Sequence, residues 1–367
     1  MRIGVPREIK NHEYRVGLSP ASVRELTELN HEVTVEAGAG AGIGFGDEQY
    51  RAAGARVVSD NIAVFDAAEL IVKVKEPQPE ECRLLRDGHT LFTYLHLAAD
   101  RALTENLLAS GATCIAYETV TDDIGRLPLL APMSEVAGRM AVQEGAHCLE
   151  IARGGSGVLL GGVPGVPPAN VLVLGGGVVG LNAARMAIGM GANVTMLDRN
   201  LDRLRYIDDL WTDRITTVYS TTQGIEHYLG LADLVIGAVL LPGAAAPKLV
   251  TREMLQLMKK GSVLVDVAID QGGCFETSTP TTHEDPIYTV DGIVHYCVAN
   301  MPGGVARTST LALTNATLPY VIRLANDGVL DTLKKDKHIR NGLNIIDKQL
   351  TCKAVADGLN LPFVAFE

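Results

Sequence analysis

Residues 171–198 read VLVLGGGVVGLNAARMAIGMGANVTMLD. An apolar run, Val171 to Leu174, enters the turn Gly175-x-Gly177-x-x-Gly180, a small-residue helix follows, and a second apolar strand ends in Asp198. Strand, glycine turn, helix, strand and acid in that order make a dinucleotide-binding unit. Gly175 supplies the tight turn, Gly177 lets the backbone approach a pyrophosphate, and Gly180 lets the helix pack close on the strand. The helix start offers unpaired N–H groups to the anion. Asp198, eighteen residues beyond Gly180, is placed to accept the hydroxyls of an adenosine ribose. Its charge would repel a 2′-phosphate, so the segment reads as a site for NAD rather than NADP.

The regular pattern continues on both sides. Behind the motif, strands are expected at 171–174, 193–197, 214–219, 233–239 and 262–267, separated by helices at 178–190, 201–210, 222–230 and 251–259. In the first third, strands are expected at Arg2–Val5, Glu32–Glu36, Arg56–Val58, Leu70–Val74, Thr90–Leu95 and Thr113–Glu118. The expected fold is α/β: two Rossmann-like doubly wound parallel-sheet domains flanking a cleft and linked by long helices. Residues 131–307 form the NAD-binding domain. Residues 1–130 and 308–367 form one discontinuous catalytic domain, because the last 40 or so residues show no strand series and are too few to fold alone. A second glycine cluster, AGAGAGIGFG at 37–46, misses the x-x spacing and is read as a flexible surface loop with no helix directly behind it.

The net charge of −11 argues against nucleic acid and anionic membranes, since phosphate contacts need a basic face. No apolar stretch is long enough for a membrane span, and the N-terminus MRIGVPREIK lacks the apolar core of a signal peptide. The six cysteines are scattered, without C-x-x-C or metal-like clustering, as expected of small buried hydrophobes in a reducing compartment. These features point to a cytoplasmic enzyme without a metal. No G-x-S-x-G elbow, H-E-x-x-H pair or P-loop is present.

Ligands of open α/β sheets bind beyond the carboxyl ends of the strands, so polar residues there are the candidates for chemistry. His96 ends TLFTYLH, where an imidazole can act as acid and base near neutral pH or be satisfied by a backbone carbonyl. Lys75 ends LIVKVK and shares a strand face with Lys73; it can polarise a carbonyl or lie in solvent. Arg15 follows the first strand and can grip a carboxylate with two parallel hydrogen bonds. Asp270 closes the fifth strand, VLVDVAID, near the expected nicotinamide, whereas Asp266 reads as a structural mid-strand acid. Ser134 opens a helix between the domains, where it bonds a phosphate or caps the helix. Asn300 and Met301 follow a further strand-like run.

With these residues assembled, the chain resembles the NAD-dependent L-alanine dehydrogenase family, which includes the nucleotide-binding part of proton-translocating transhydrogenase. The segments that carry the likeness include GVPREIKNHEYRV, IVKVKEP, LFTYLHLA, LPLLAPMSEVAGRMA, VLGGGVVGLNAAR, VDVAIDQGGCFE, YCVANMPG and ALTNATLPY, about nine-tenths of the chain being covered. The resemblance implies oxidative deamination of L-alanine to pyruvate and ammonium, with Arg15 and Lys75 holding substrate, and His96 and Asp270 catalytic. For NAD it implies Ser134, Gly175, Gly177, Val178, Val179, Gly180, Asp198, Arg203, Ser220, Val239 and Leu240. It adds Val267, Ala268, Ile269, Asp270, Val298, Ala299, Asn300 and Met301. It further implies a homohexamer. The competing readings are the NAD-binding component of a transhydrogenase and an NAD-sensing module without chemistry.

Overall fold

The computed structural model describes residues 1–239 and 246–366. It divides into two compact units, Met1–Met133 with Val305–Glu367, and Ser134–Gly304. The first unit carries strands β1 (Arg2–Val5), β2 (Glu32–Glu36), β3 (Arg56–Val58), β4 (Leu70–Val72), β5 (Thr90–Thr93) and β6 (Thr113–Ala116). The second carries β7 (Asn170–Leu174), β8 (Asn193–Asp198), β9 (Thr216–Tyr219), β10 (Leu234–Gly237), β11 (Val263–Asp266), β12 (Ile287–Val290) and β13 (Ile293–Tyr296). β14 (Leu343–Ile346) and β15 (Gln349–Leu350) return to the first unit.

The sheet of the second unit runs β12-β13-β11-β10-β7-β8-β9, all parallel except β12. Counted from β7, the parallel strands stand in the order 3-2-1-4-5-6, with the switch point between β7 and β10. The first unit repeats the arrangement: β3-β2-β1-β4-β5-β6 are parallel, and its switch point falls between β1 and β4. The α/β class with two parallel-dominated sheets therefore agrees with the sequence pattern. Continuous apolar strands such as VLVL and VLVD are buried along their length, as expected of sheets covered on both faces. Local rules act here too. Ser19 accepts from the Ser22 N–H at 3.1 Å and caps the helix Pro20–Glu28, whose first residue is proline.

Three expectations need correction. The C-terminal segment does contribute strands: β14 pairs antiparallel with β6 across a register irregularity, and β15 pairs with β14. Ile345 and Leu350 join the core of Leu91, Leu107 and Cys114. Their turn, Asp347-Lys348, has positive φ at both residues without a glycine, so the usual hairpin signal is absent from the sequence. The cluster at 37–46 is a packed turn, and the helix Asp47–Ala52 begins directly behind it. Ala39, Ile43 and Phe45 are buried, and a Cβ at Gly40 would lie 2.7 Å from that of Phe45. The strands β4, β5 and β11 stop short of Lys75, His96 and Asp270, which lie in the loops beyond them. Asp266 is correspondingly the last residue of its strand, not a mid-strand acid.

The five cysteines 82, 114, 148, 274 and 297 are buried and Cys352 is partly so, all as free thiols. Burial pushes Cys274 up to about 12. No helix among the described residues is long and apolar enough to cross a membrane.

The glycines of the motif make a contrast that stability measurements can test. A Cβ at Gly180 would fall 1.9 Å from the Gly175 carbonyl oxygen, whereas a Cβ at Gly177 meets nothing within 4 Å. Gly180→Ala is expected to cost about 1–3 kcal/mol by overpacking, and Gly177→Ala under about 1 kcal/mol. Urea unfolding checks both; equal losses would contradict this packing.

Candidate active site

In the first unit, the candidate residues lie beyond β1, β4 and β5, the strands around the switch point. Arg15 is 2% exposed, not the surface-loop arginine its setting suggests. Its Nε and Nη2 each donate to Glu13 at 2.6 Å, and Nη1 approaches the Met133 sulfur at 3.1 Å. Burial alone would pull its pKa down, but Glu13 outweighs that and holds the guanidinium charged. A buried fork fixed by a bidentate carboxylate is pre-oriented rather than mobile.

Lys75 and Lys73 separate sharply. Lys73 is 1% exposed and its ammonium lies 2.6 Å from Glu81 and 3.2 Å from Glu8. Burial opposes its charge, yet the two carboxylates more than offset this and raise its pKa. Burial also pushes Glu8 up. The other oxygen of Glu8 accepts the N–H of Val74 at 2.7 Å and of Lys75 at 3.3 Å. The triad thus ties down the backbone that carries Lys75. The Lys75 ammonium itself has no hydrogen-bond or ion-pair partner among the described residues, and its side chain is half-buried.

His96 has φ 51° and ψ 36°, a left-handed conformation rare outside glycine. Glu118, just beyond β6, holds it there. One oxygen accepts the His96 N–H at 2.6 Å, and both lie 3.2–3.3 Å from the Leu95 N–H. The imidazole is 47% exposed and stacks on Tyr94 at 5.9 Å between centroids. Tyr94 donates to the Leu129 carbonyl at 2.6 Å. Glu76 lies 3.9 Å from the imidazole, and its other oxygen pairs with Lys10. Burial pushes Glu76 up, but Lys75 and Lys10 outweigh it and lower its pKa. Arg15, Lys75 and His96 are thus set among Glu8, Glu13, Glu76, Tyr94 and Glu118, none of which the residue patterns singled out. Four of them, Glu8, Glu76, Tyr94 and Glu118, share a signal, an acid or tyrosine within a few residues of a strand end; Glu13 lies further along the loop after β1.

In the second unit, each described cofactor candidate after residue 170 lies at or beyond the carboxyl end of a parallel strand or on the helix behind it. Gly175 has φ 99°. Asp198 has one oxygen accepting the Gly176 N–H and the other the Asn200 N–H, both at 2.7 Å. It therefore shapes the glycine turn, and it is half-buried. Arg203 donates to the Gly176 carbonyl and lies over the Tyr206 ring. Ser220 donates its N–H to the Asp198 carbonyl at 2.9 Å. Val178 is exposed, Val179 buried and Val239 partly buried; Leu240 lies outside the described residues.

Asp266 ends β11 and turns the chain. It accepts from the N–H groups of Ala268 and Phe275 and from the Ser278 hydroxyl. Burial raises its pKa against those bonds. Val267 and Ala268 lead from that strand into the short turn Ile269–Gln271, where Asp270 is exposed. Beyond β13, Val298 bridges to Thr281, and the Ala299 N–H donates to the Thr281 carbonyl at 3.1 Å. Asn300 has φ 62° and Met301 is buried. Ser134 does not cap its helix, which starts at Ala131, three residues earlier.

These features fit a dinucleotide. The helix Val178–Gly189 has no side-chain cap, so its first N–H groups remain available to an anion, and the space beside Gly177 is open. The fold and this turn define a Rossmann-type, dinucleotide-binding class of protein.

The family is set by comparison with known proteins. The model for "Alanine dehydrogenase/PNT, N-terminal domain" matches residues 4–137, and that for the C-terminal domain matches residues 141–353. The chain belongs to the alanine dehydrogenase/PNT family. It is 63% identical over 364 residues to an alanine dehydrogenase of Halomonas elongata, covering 99% of this chain and 98% of the relative. Its structure resembles that of an L-alanine dehydrogenase with TM-score 0.95 and 53% identity, covering 98% and 99% of the two chains. A transhydrogenase from Sinorhizobium meliloti matches with TM-score 0.81 and 26% identity, covering 96% and 100%.

The buried triad gives a direct test. Lys73→Met leaves Glu8 and Glu81 without their counter-charge and is expected to cost about 3–5 kcal/mol of stability. Urea unfolding measures it, and a loss below about 1 kcal/mol would show the triad to be dispensable.

Proposed function

We propose that this chain catalyses the reversible oxidative deamination of L-alanine to pyruvate and ammonium with NAD. One observation carries the reading: a pre-oriented guanidinium, an ammonium without a hydrogen-bond partner among the described residues and an imidazole stand at the switch point of the first sheet. The names of the relatives support the substrate. In this assignment residues 1–130 and 308–367 are the catalytic domain and 131–307 the NAD-binding domain. The homohexamer and the cytoplasmic location are proposed with it.

Each side chain has a separate task. Arg15, held in plane by Glu13, takes the substrate carboxylate. Lys75, fixed through its backbone by Glu8, stabilises the oxygen that becomes the ketone. Alanine reacts as the free amine, its ammonium having released one proton to solvent, and NAD, when bound, would supply the acceptor for the hydrogen and electron pair that leave Cα. Water then adds to the carbon of the resulting C=N bond, and His96 takes a proton from that water. His96 returns the proton to nitrogen, the C–N bond breaks, and the hydroxyl proton departs with nitrogen as ammonium. Asp270 is the second catalytic group. Gly175, Gly177, Gly180, Val178 and Val179 would hold the pyrophosphate, and Asp198 the ribose. Ser134, Arg203, Ser220, Val239, Val267 to Asp270 and Val298 to Met301 complete that site.

The transhydrogenase-like reading requires hydride exchange between two nucleotides and no carboxylate grip. The structural match at 53% identity favours the dehydrogenase over the one at 26%.

NADH formation measured across small L-amino acids is expected to be highest with alanine; no activity with any of them would overturn the assignment. His96→Ala is expected to lower kcat by about 10²–10⁴-fold while NADH binding persists. Wild-type-like turnover would remove His96 from the mechanism. Asp198→Ala is expected to weaken NADH binding at least about tenfold, read by fluorescence titration.

A further inference from the structure

We propose that Glu76 is the positioning partner of His96: its Oε2 accepts the Nδ1 proton of the imidazole and leaves Nε2 as the nitrogen that exchanges protons. The proposal rests on the acid–base reading of His96 and adds a residue to it.

The geometry begins with an unsatisfied atom. Oε2 of Glu76 is buried and has no hydrogen-bond partner among the described residues. Its twin oxygen is held by Lys10. A buried carboxylate oxygen without a donor is costly, and the His96 Nδ1 stands 3.9 Å away. That is too long for a hydrogen bond, and closing it needs only a small swing of a half-exposed ring. Catalytic hydrogen bonds commonly tighten in this way when substrate binds.

The surroundings limit what can move. The backbone of His96 is clamped by Glu118 in its left-handed conformation, and the ring lies on Tyr94. Tyr94 is tied to Leu129, and burial keeps its phenol neutral. The imidazole can therefore turn about its own side-chain bonds but cannot leave the site. The charged groups around it are Glu76, with Lys10 and Lys75 beside that carboxylate, and Glu118, whose oxygens are engaged with main-chain N–H groups. Glu76 is thus the acid with an oxygen to offer the ring. A carboxylate at Nδ1 selects the tautomer and supports the imidazolium that forms when Nε2 takes a proton.

The test uses the full chain with isotopically labelled histidine. The His96 signals are assigned by their loss in His96→Asn, and the nitrogen shifts of the neutral ring are compared by NMR in wild type and Glu76→Ala. In wild type they are expected to show protonation at Nδ1, a measurement that does not depend on the variant folding. In folded Glu76→Ala the proton is expected to move to Nε2, and kcat for alanine to fall at least about tenfold while KM changes less than about twofold. A neutral wild-type ring protonated at Nε2, or an unchanged tautomer in folded Glu76→Ala, overturns the proposal. Wild-type turnover in His96→Ala would overturn the acid–base reading instead, with the tautomer still linking Glu76 to the ring.

Discussion

Carboxylates that accept main-chain N–H groups where parallel strands end are the constraint on which the rest of this structure depends. Glu8 takes the N–H groups of Val74 and Lys75, and Glu118 those of Leu95 and His96. In the second unit Asp198 takes those of Gly176 and Asn200, and Asp266 those of Ala268 and Phe275. Each such bond to a charged acceptor is worth about 1.5–3 kcal/mol. Their more important effect is geometric. The ladder stops where the carboxylate replaces it, and the next residue is aimed by the turn instead of by the sheet. Burying these acids carries a desolvation cost, visible as the upward shifts of Glu8 and Asp266. For Glu8 the buried ammonium of Lys73 offsets part of it.

The two units share one strand order and differ in the segment that leaves their first strand. After β7 comes a glycine turn with an uncapped helix start, suited to a phosphate. After β1 comes PREIKNHEYR, which carries Glu8, Lys10, Glu13 and Arg15. All four enter ion pairs. Equivalent places in one topology therefore hold opposite chemistry. One unit presents backbone donors there; the other presents side chains already ordered by acids. Fold alone would not separate these roles.

Much of the sheet architecture was legible because buried parallel strands leave short apolar runs between helical segments. The expected bounds of β1, β2 and β3 coincide with those observed. The parts that were not legible have a common cause in distance. β14 and β15 are short, turn without glycine, and gain their stability from β6, far away in sequence. The cluster at 37–46 looked loose because glycine spacing says nothing about the Phe45 and Tyr50 side chains that fill it. Lys73 and Lys75 were indistinguishable as alternating lysines, and only the placement of Glu8 and Glu81 makes one structural and leaves the other available.

The sequence by itself determined the dinucleotide unit at 171–198, the α/β class and the family, because local spacing and apolar periodicity carry those properties. Tertiary structure decided which acids meet which cations and backbone groups. Glu13 on Arg15, Glu8 beneath Lys75, Glu118 behind His96 and Glu76 at its ring are pairings of charges and polar groups. Coulombic and hydrogen-bonding energies depend on separations in space, and those exist only once the strands have been ordered side by side.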